Sequence, residues 1–423
     1  MRHPAAALAR PVAVLATAGA LLGAAGPPAL AASALPHQVV VKRVGAAARV
    51  LRVRDVPRAL AAMRTRPGVT YAVPNMRAHA AGAFVPDDPG ASSQPGGWEQ
   101  LQWNFAGPFG VGAPEAWGNA IAAGAPGGAG VTVAVLDTGV AYANRGGFRR
   151  SPDLAGGQFV RGYDFVAHDR YPFDQNGHGT HVASTIAERT DNAYGLTGLA
   201  YGARIMPVRV LDAAGDGDAV AIARGLRFAA RHGAKVINLS LNFDPGVRPA
   251  QIPQVLSALA YARRRGALVV AAAGNEDSPS VPYPARDSRV LAVGAITENG
   301  CVASYSNRGV GIDLVAPGGG DDDALPDDPD CVAGRTGRSI YQVTLAGRRD
   351  RFGIGLDYIG TSMATPHVAA TAALVIATRT AGPHPSPAAV AARIEQTARD
   401  LGSPGRDTTY GWGLVNAAAA SAR

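Results

Sequence analysis

The sequence predicts an α/β fold of three layers, in which a mainly parallel central sheet lies between two layers of helices. Short apolar runs typical of buried strands alternate with segments whose apolar residues have helical spacing. Alternation of this kind produces a parallel sheet with helices on both faces. The predicted strands are residues 131–137, 203–212, 235–241, 267–275 and 290–296, and the clearest helices are residues 218–233 and 252–266.

The ends of these elements carry the first functional signal. Both predicted helices end in Arg-rich turns that are followed by glycine, which is typical of helix C-termini. In open parallel sheets, ligands bind beyond the carboxyl ends of the strands. Asp137 and Asn275 stand at two such ends, so both are candidates for a functional site.

The region before residue 98 has a different organisation. Residues 1–31 combine Arg2 and Arg10 with an apolar stretch and an Ala-Leu-Ala sequence at 29–31, which is typical of a cleaved signal peptide. The alternative is an uncleaved membrane anchor, but Pro27 and Pro28 interrupt the run before it reaches the roughly 20 residues that a span needs. Residues 36–80 then predict a small α/β unit of three strands and one helix. Residues 81–97 are rich in Pro, Gly, Asp and Ser and predict an exposed linker.

The distribution of charge along the chain argues against nucleic-acid binding. The chain of 423 residues carries a formal charge of +8, but residues 1–84 hold eleven of the basic residues and only one acid, Asp55. The remaining residues hold 29 basic and 31 acidic side chains, which is not the basic surface that nucleic-acid binding requires.

The two cysteines predict a disulfide if the protein is exported. An exported protein folds in an oxidising compartment, where Cys301 and Cys331 can pair, and closing a loop of this length contributes roughly 3–4 kcal/mol. Two free, buried cysteines are the alternative.

The acidic stretch at 321–330 within the irregular region 318–358 predicts a solvated loop, and the second half of that region predicts a hairpin.

Three motifs contain residue types that together perform acyl transfer. Asp137 follows a buried strand in VLDTGV, His178 opens a predicted helix in NGHGTHVA, and Ser362 opens another in GTSMATPHVA. A serine hydroxyl becomes a nucleophile when an imidazole takes its proton, and a buried carboxylate fixes the tautomer of that imidazole. At the start of a helix, the backbone N–H of Ser362 and the helix dipole would also stabilise an oxyanion.

Each of these residues has a structural alternative. Ser362 alone would be a helix N-cap, and Asp137 and Asn275 would be turn residues. His178 and His181 have the spacing of a metal pair, but no further Cys or His cluster accompanies them, so we expect no zinc site. His181 and His367 are interpreted as buried structural histidines. The occurrence of all four required residue types together favours catalysis.

Over residues 98–420 the chain resembles the subtilases, the subtilisin-like serine proteases. The motifs that carry the resemblance are VLDTGV, NGHGTHVA, VINLSL, AAAGNE, YSNRG, DLVAPG and GTSMATPHVA, in that order. The resemblance implies a subtilisin-like catalytic domain at 98–423 with a triad of Asp137, His178 and Ser362. It implies that Asn275 donates to the oxyanion.

The resemblance also implies a substrate groove. The strand end Ser240, Leu241 and Asn242 would pair with the substrate backbone, and Ala272, Ala273 and Gly274 would flank the pocket for the residue before the cleaved bond. Subtilases often have glycines where this chain has Asn242 and Phe243, so we expect these side chains to shape the groove. Residues 280–287 would form the pocket floor, with Pro282 where a smaller residue is expected.

Processing and a metal site follow from the same resemblance. Residues 32–84 resemble a subtilase propeptide that assists folding and inhibits the enzyme until it is cleaved, followed by a linker at 85–97; a permanent N-terminal domain is the alternative.

The loop at 188–198 resembles a calcium loop, and a metal-free surface turn is its alternative. Hard oxygen ligands suit Ca²⁺, and those implied are Asp153, Asn192, Gln102 and the carbonyls of Thr190, Tyr194 and Leu196.

The sequence therefore predicts a secreted, monomeric serine endopeptidase that acts on proteins or peptides. It would be activated by removal of its own inhibitory propeptide, and it would contact neither nucleic acid nor, once processed, a membrane. Two other functions fit the same motifs: a catalytically silent domain that only binds peptides, and a processing enzyme with a narrow target.

Overall fold

A computed structural model describes residues 34–76, 83–325 and 331–423. The described residues fall into two compact units, one within residues 1–76 and the other within residues 77–423. The predicted signal peptide lies outside the described residues. Among the helices that the structure describes, none is long and apolar enough to cross a membrane.

The first unit contains the three strands and single helix that the sequence predicts. The helix is capped by Asp55, whose carboxylate accepts a hydrogen bond from the backbone N–H of Arg58 at 2.9 Å, as a good N-cap residue does. The strands form an antiparallel sheet of order β2-β1-β3 around a small apolar core. The elements are β1 (Ala34–Arg43), β2 (Arg49–Arg52), α1 (Val56–Arg64) and β3 (Val69–Met76).

The second unit is built on the predicted parallel sheet. Seven strands pair in the order β10-β9-β8-β7-β4-β6-β5, and every described pairing within this sheet is parallel. The strands are β4 (Thr132–Asp137), β5 (Tyr163–Asp164), β6 (Arg204–Arg209), β7 (Val236–Leu239), β8 (Leu268–Ala272), β9 (Val290–Ile296) and β10 (Leu314–Pro317). The five strands predicted from apolar runs are confirmed, and the short β5 and β10 extend the sheet at its two edges.

Helices cover both faces of this sheet, which confirms the three-layer architecture. Side chains alternate along β4, so that Val133 and Val135 pack with one helical layer and Ala134 and Leu136 pack with the other, as strand geometry requires. The first layer includes the long buried helix α8, and the second consists of α6 and α7. The helices are α2 (Trp98–Leu101), α3 (Trp103–Ala106), α4 (Ala113–Ala122), α5 (His178–Ala187), α6 (Ala219–Arg231), α7 (Pro253–Arg264), α8 (Thr361–Thr378), α9 (Pro387–Gln396) and α10 (Ala417–Ser421).

The irregular region before α8 contains the predicted hairpin and one of the two cysteines of the disulfide. Strands β11 (Val343–Leu345) and β12 (Phe352–Ile354) pair antiparallel, and Cys301 is bonded to Cys331, which confirms the predicted pairing. The expectation that the acidic stretch is solvated is wrong for Asp322, which is fully buried. Its carboxylate accepts hydrogen bonds from Asn299 and from Arg335, so its charge is paired.

The expectation that residues 81–97 form an exposed linker is also wrong in part. Asp88 is fully buried, and its carboxylate accepts hydrogen bonds from the backbone N–H groups of Asp191 and Asn192 at 2.8 and 3.0 Å. The N–H of Gly90 donates to the carbonyl of Gly195. A polar segment can therefore be buried here because the loop at 191–195 satisfies its hydrogen-bonding groups.

Candidate active site

The site begins at the carboxyl ends of the three central strands. Because β8, β7 and β4 are neighbours in a parallel sheet, the residues that follow them lie at one edge of it. Asp137 ends β4 and is fully buried. Its Oδ1 accepts hydrogen bonds from the Thr138 N–H at 2.7 Å and from His178 Nδ1 at 2.8 Å. The carboxylate therefore holds the imidazole in the tautomer that carries its proton on Nδ1.

His178 is the first residue of α5, and glycines on both sides allow this placement. Gly177 has a left-handed φ of 112°. A Cβ on Gly179 would lie 2.1 Å from the Gly139 carbonyl oxygen, so only glycine lets the helix approach the turn after β4 this closely. The imidazole is 24% exposed and lines a cleft.

The electrostatic surroundings of His178 suit a base. Burial lowers its pKa, but the charge of Asp137 and the hydrogen bond to it raise the pKa, with a further contribution from the charge of Asp174, so that the net shift is upward. An imidazolium formed during a reaction would therefore be stabilised where it stands.

Asp174 is a site residue that the sequence analysis missed. It is buried, and burial raises its pKa. Its carboxylate accepts hydrogen bonds from the Thr138 hydroxyl, from the N–H groups of Asn176 and Gly177, and from both the N–H and the hydroxyl of Thr180. It thereby ties the turn after Asp137 to the first turn of the His178 helix.

Ser362 is the second residue of α8, where a backbone N–H has no acceptor within the helix. The chain enters the helix through Gly360, whose φ is 142°. Ser362 and His178 line one cleft of about 530 Å³. The Ser362 hydroxyl donates to the Ser240 carbonyl at 3.1 Å and not to the imidazole. Nucleophile–base hydrogen bonds often tighten only when substrate is bound.

Asn275 presents a free amide to the same region. Its Oδ1 accepts hydrogen bonds from the N–H and the hydroxyl of Thr361 at 2.8 and 2.9 Å. This assigns the oxygen of the amide, and because the side chain is exposed, the NH₂ group remains available as a donor beside the start of α8. Two donors, the Asn275 amide and the Ser362 N–H, are therefore present at the start of α8, and donors of this kind could stabilise an oxyanion.

The predicted groove residues follow β7 and β8 and are joined to the first turn of α8. The Ser240 hydroxyl donates to the Ser362 carbonyl at 2.7 Å, and the Gly274 N–H donates to the Thr361 hydroxyl at 3.1 Å. Leu241 and Asn242 line the cleft. Ala272 and Ala273 are buried. The structure therefore joins Ser240 and Gly274 to the first turn of α8 and places Leu241 and Asn242 in the cleft that Ser362 lines.

The two other histidines of the motifs are buried, and the Nε2 atom of each bonds to a protein atom. His181 Nε2 lies 2.9 Å from the Ile340 carbonyl oxygen, and its ring stacks on Tyr358. His367 Nε2 lies 2.8 Å from the amide nitrogen of Asn104. Burial lowers the pKa of His181 to about 3 and that of His367 to about 4, so both are neutral. Within the described residues, no group of three or more His, Cys, Asp or Glu side chains could hold a metal ion.

Comparison with known proteins identifies the family. Residues 128–413 match the subtilase family, Peptidase_S8. The chain belongs to this family. It is 40% identical over 294 residues to Subtilisin Savinase of Lederbergia lenta, covering 70% of this chain and 91% of that one. It is 36% identical over 334 residues to thermitase of Thermoactinomyces vulgaris, covering 79% and 98%. The subtilase described here is accordingly a serine-type endopeptidase.

Solved structures agree with this assignment. A protease from Pseudoalteromonas arctica superimposes with a TM-score of 0.63 and 30% identity, covering 80% of this subtilase and 99% of that chain. A cold-adapted subtilisin-like serine proteinase superimposes with a TM-score of 0.53 and 31% identity, covering 69% and 89%.

The loop at 188–198 of this subtilase wraps around Asp153. The buried Asp153 carboxylate accepts hydrogen bonds from Asn192 Nδ2 at 2.8 Å and from the Leu196 N–H at 3.0 Å. Gln102 is hydrogen-bonded to both the N–H and the carbonyl of Thr197. Burial raises the pKa of Asp153 to about 7 and that of Asp88 to about 6. Two desolvated carboxylates therefore lie near one another without a basic hydrogen-bonding partner.

Proposed function

We propose that this subtilase is a secreted, monomeric endopeptidase that hydrolyses peptide bonds through an acyl-enzyme. Ser362 is the nucleophile, His178 the general base and acid, Asp137 the orienting carboxylate, and Asn275 a donor to the oxyanion. The observation that carries the proposal is the 2.8 Å contact between Asp137 and His178 at a cleft that Ser362 also lines. A silent peptide-binding domain would not require this pair.

The reaction begins when the Ser362 hydroxyl turns from the Ser240 carbonyl toward His178. Nε2 takes the hydroxyl proton as Oγ bonds to the substrate carbonyl carbon, and the oxygen that becomes negative accepts hydrogen bonds from the Ser362 N–H and the Asn275 amide. The imidazolium then gives its proton to the departing amine as the C–N bond breaks. A water molecule repeats the sequence on the acyl-enzyme, which releases the acid and restores the serine.

Activation is part of the proposal. Residues 1–31 are removed as a signal peptide, and residues 32–84 act as an inhibitory propeptide that is cleaved before residues 98–423 become active, with 85–97 as the segment between them. The described residues 34–76 form a compact unit with its own small core, which supports a propeptide that is separate from the catalytic domain.

Active protein purified from the culture medium is therefore expected to hydrolyse a fluorogenic peptide and to begin downstream of residue 76 by N-terminal sequencing. Size-exclusion chromatography should give one chain per particle. An active secreted form that still begins near residue 32 would contradict the propeptide. A correctly processed form that cleaves neither casein nor any member of a peptide panel would contradict the peptidase, whereas cleavage of a single sequence would favour a narrow processing role.

Calcium completes the proposed function as a structural ion. Asp153 and the amide side chains of Asn192 and Gln102 would hold it, together with the carbonyls of Thr190, Tyr194 and Leu196. Bound there, the ion would neutralise the buried carboxylate charge and fasten the loop. The all-oxygen donor set, with the buried Asp153 carboxylate among its members, supports this choice over a transition metal.

Removal of calcium should lower the thermal stability of the processed enzyme. Chelation is expected to lower Tm by about 5 °C, because an ion that binds only the folded state stabilises it by mass action. Asp153→Asn should remove the sensitivity to chelator, and Asp350→Asn, on an exposed residue of the β11–β12 turn, should preserve it. Equal Tm values with and without chelator would contradict a bound ion.

A further inference from the structure

Two exposed turns of the second unit are rich in arginine. The turn at 145–150 follows β4, and the turn at 348–351 joins β11 to β12; together they hold six arginines and one acid, Asp350. Residues 85–423 hold 29 basic and 31 acidic side chains, of which 23 and 30 lie outside these turns. The turns are therefore basic on a domain that is otherwise acidic. We call the six residues the arginine cluster: Arg145, Arg149, Arg150, Arg348, Arg349 and Arg351.

The two turns form one surface. The Arg149 N–H donates to the Arg349 carbonyl at 3.2 Å, and the Arg349 guanidinium carbon lies 5.2 Å from the centre of the Phe148 ring. All six arginines are exposed. Within the part of the chain that the structure describes, the one ion pair that any of them forms joins Arg348 to Asp350. Most of the positive charge on this surface is therefore available to a partner.

Aromatic rings support the cluster from beneath. The Phe148 ring stacks on the ring of the buried Phe173, with the ring centres 4.5 Å apart. The Arg145 guanidinium carbon lies 3.8 Å from the centre of the Tyr171 ring, and that ring is nearly parallel to Phe173. A guanidinium on an aromatic face keeps its N–H groups free while losing some of its mobility. These groups are therefore partly preorganised for an anion.

The cluster is anchored close to His178. Arg349 Nη2 donates to Gln175 Oε1 at 2.7 Å, and at the base of the same hairpin the Thr344 hydroxyl donates to the Gly177 carbonyl at 2.5 Å. Gln175 and His178 are three Cα steps apart, which is at most about 11 Å. An extended peptide covers about 11 Å in three to four residues. A substrate chain that begins beside His178 can therefore reach the cluster with about its third to fifth residue.

The proposed reaction indicates which half of the substrate passes this surface. His178 gives its proton to the departing amine, so the leaving half of the substrate begins beside this imidazole. The other half lies along Ser240, Leu241 and Asn242, in the groove that follows β7. The leaving half then continues on the side of His178, where the segment at 171–177 carries the arginine cluster.

We propose that the arginine cluster binds carboxylate side chains on the leaving half of the substrate, at about the third to fifth residues after the cleaved bond, and makes this subtilase selective for peptides that are acidic there. The proposal rests on the proposed function, because it places the substrate by the proton transfer from His178. Guanidinium groups bind carboxylates through two parallel hydrogen bonds, so arginine suits this partner.

The test compares three internally quenched peptides that differ only at the third to fifth residues after the cleaved bond, where they carry three Glu, three Gln or three Lys. Mass spectrometry confirms the cleaved bond. The parent enzyme should have the highest kcat/KM for the Glu peptide and the lowest for the Lys peptide. At low ionic strength the Glu-to-Gln ratio should be on the order of tenfold, the effect of two or three exposed ion pairs. In about 0.5 M salt the ratio should approach one, because exposed charges are screened.

Two double variants locate the effect. Arg145→Gln with Arg349→Gln should lower the low-salt ratio by about threefold and leave kcat/KM for the Gln peptide at the parent value. Arg149→Gln with Arg351→Gln should also lower the ratio, and it keeps the contacts to Tyr171 and Gln175 in case the first pair impairs folding.

The matched control is Arg263→Gln with Arg264→Gln, which removes the same charge from exposed residues in the last turn of α7. This helix belongs to the other helical layer, so the control should keep the parent ratio. Loss of the ratio in the control would overturn the proposal, because the preference would then follow net charge instead of the arginine cluster.

Two further outcomes would overturn the proposal: a Glu-to-Gln ratio near one in the parent at low salt, and an equal fall in kcat/KM for both peptides in Arg145→Gln with Arg349→Gln. The second would show that these arginines act by holding the segment before His178. The proposed function fails separately if the parent cleaves none of the three peptides. Fluorescence anisotropy with labelled peptides then decides on the cluster, since tighter binding of the Glu peptide supports it and equal binding contradicts it.

Discussion

Ser362→Ala is expected to lower kcat by about 10⁶-fold, the size of the loss that the corresponding change causes in subtilisin. Without the hydroxyl, no acyl-enzyme forms, and the imidazole has no proton to take from the nucleophile. The residual rate would come from substrate binding and the oxyanion donors alone. The measurement is single-turnover hydrolysis of a peptide anilide by the processed enzyme, since this separates the chemical step from product release.

Ser288→Ala is the matched control for this variant, because Ser288 is exposed and follows Asp287 on a different loop. It should retain the parent rate. Since the Ser362 hydroxyl also donates to the Ser240 carbonyl, the circular dichroism spectrum and Tm of Ser362→Ala should be recorded to show that the fold is intact. A folded Ser362→Ala enzyme with more than a tenth of the parent kcat would contradict the assignment.

Asp137→Asn is expected to lower kcat by about 10⁴-fold, the loss seen for this substitution in a serine protease of unrelated fold. The Asp137 carboxylate accepts the Nδ1 proton of His178 at 2.8 Å. An asparagine in the same place can donate its NH₂ to Nδ1, which moves the proton to Nε2, and that nitrogen then cannot accept the serine proton. The substitution preserves size, so its effect measures the orientation and charge of the carboxylate.

The same variant has a second readout in the pH profile. The charge and hydrogen bond of Asp137 raise the pKa of His178, and the base must be neutral to act. The acid limb of kcat/KM follows the pKa of the free enzyme. Loss of the carboxylate lowers that pKa, so the limb should move to lower pH in Asp137→Asn. A limb that stays in place or moves to higher pH would contradict the electrostatic role of Asp137.

The fold was predictable from the sequence because the central strands are apolar and buried on both faces. Such strands stand out in the sequence as apolar runs. The helices between them show apolar residues at helical spacing, and they end in Arg-rich turns that are followed by glycine. Strand β5 has two residues, Tyr163 and Asp164, which is too short for any periodicity. The burial of Asp88 also escaped prediction, since composition alone does not indicate which backbone groups will satisfy a carboxylate.

The candidate site was predictable where each residue type stands in a distinctive local context. Asp137, His178, Asn275 and Ser362 follow strands or open helices, and the structure gathers them at one edge of the sheet. Asp174 was not found, because its function depends on five hydrogen bonds that exist only after the turn and the helix have packed. The succession of Asp174, Asn176 and Gly177 just before His178 is a signal for such a capping role.

The contact between Asn242 and Glu276 could not be predicted from the sequence either. Asn242 could be recognised as an unusual side chain in the groove, but its partner follows a different strand. Only the adjacency of β7 and β8 brings the two side chains within hydrogen-bonding distance. Departures from a family pattern thus identify where to look, and the packed structure is needed to identify the partner.

The most direct test of the central claim is covalent labelling of the processed protein with a fluorophosphonate probe, with the modified residue located by peptide mass spectrometry. A serine activated by His178 and Asp137 should be labelled in a 1:1 ratio, with the adduct on Ser362 and none in Ser362→Ala. Correctly processed, folded protein that takes up no probe, or a Ser362→Ala variant that is labelled as fully as the parent, would contradict the account.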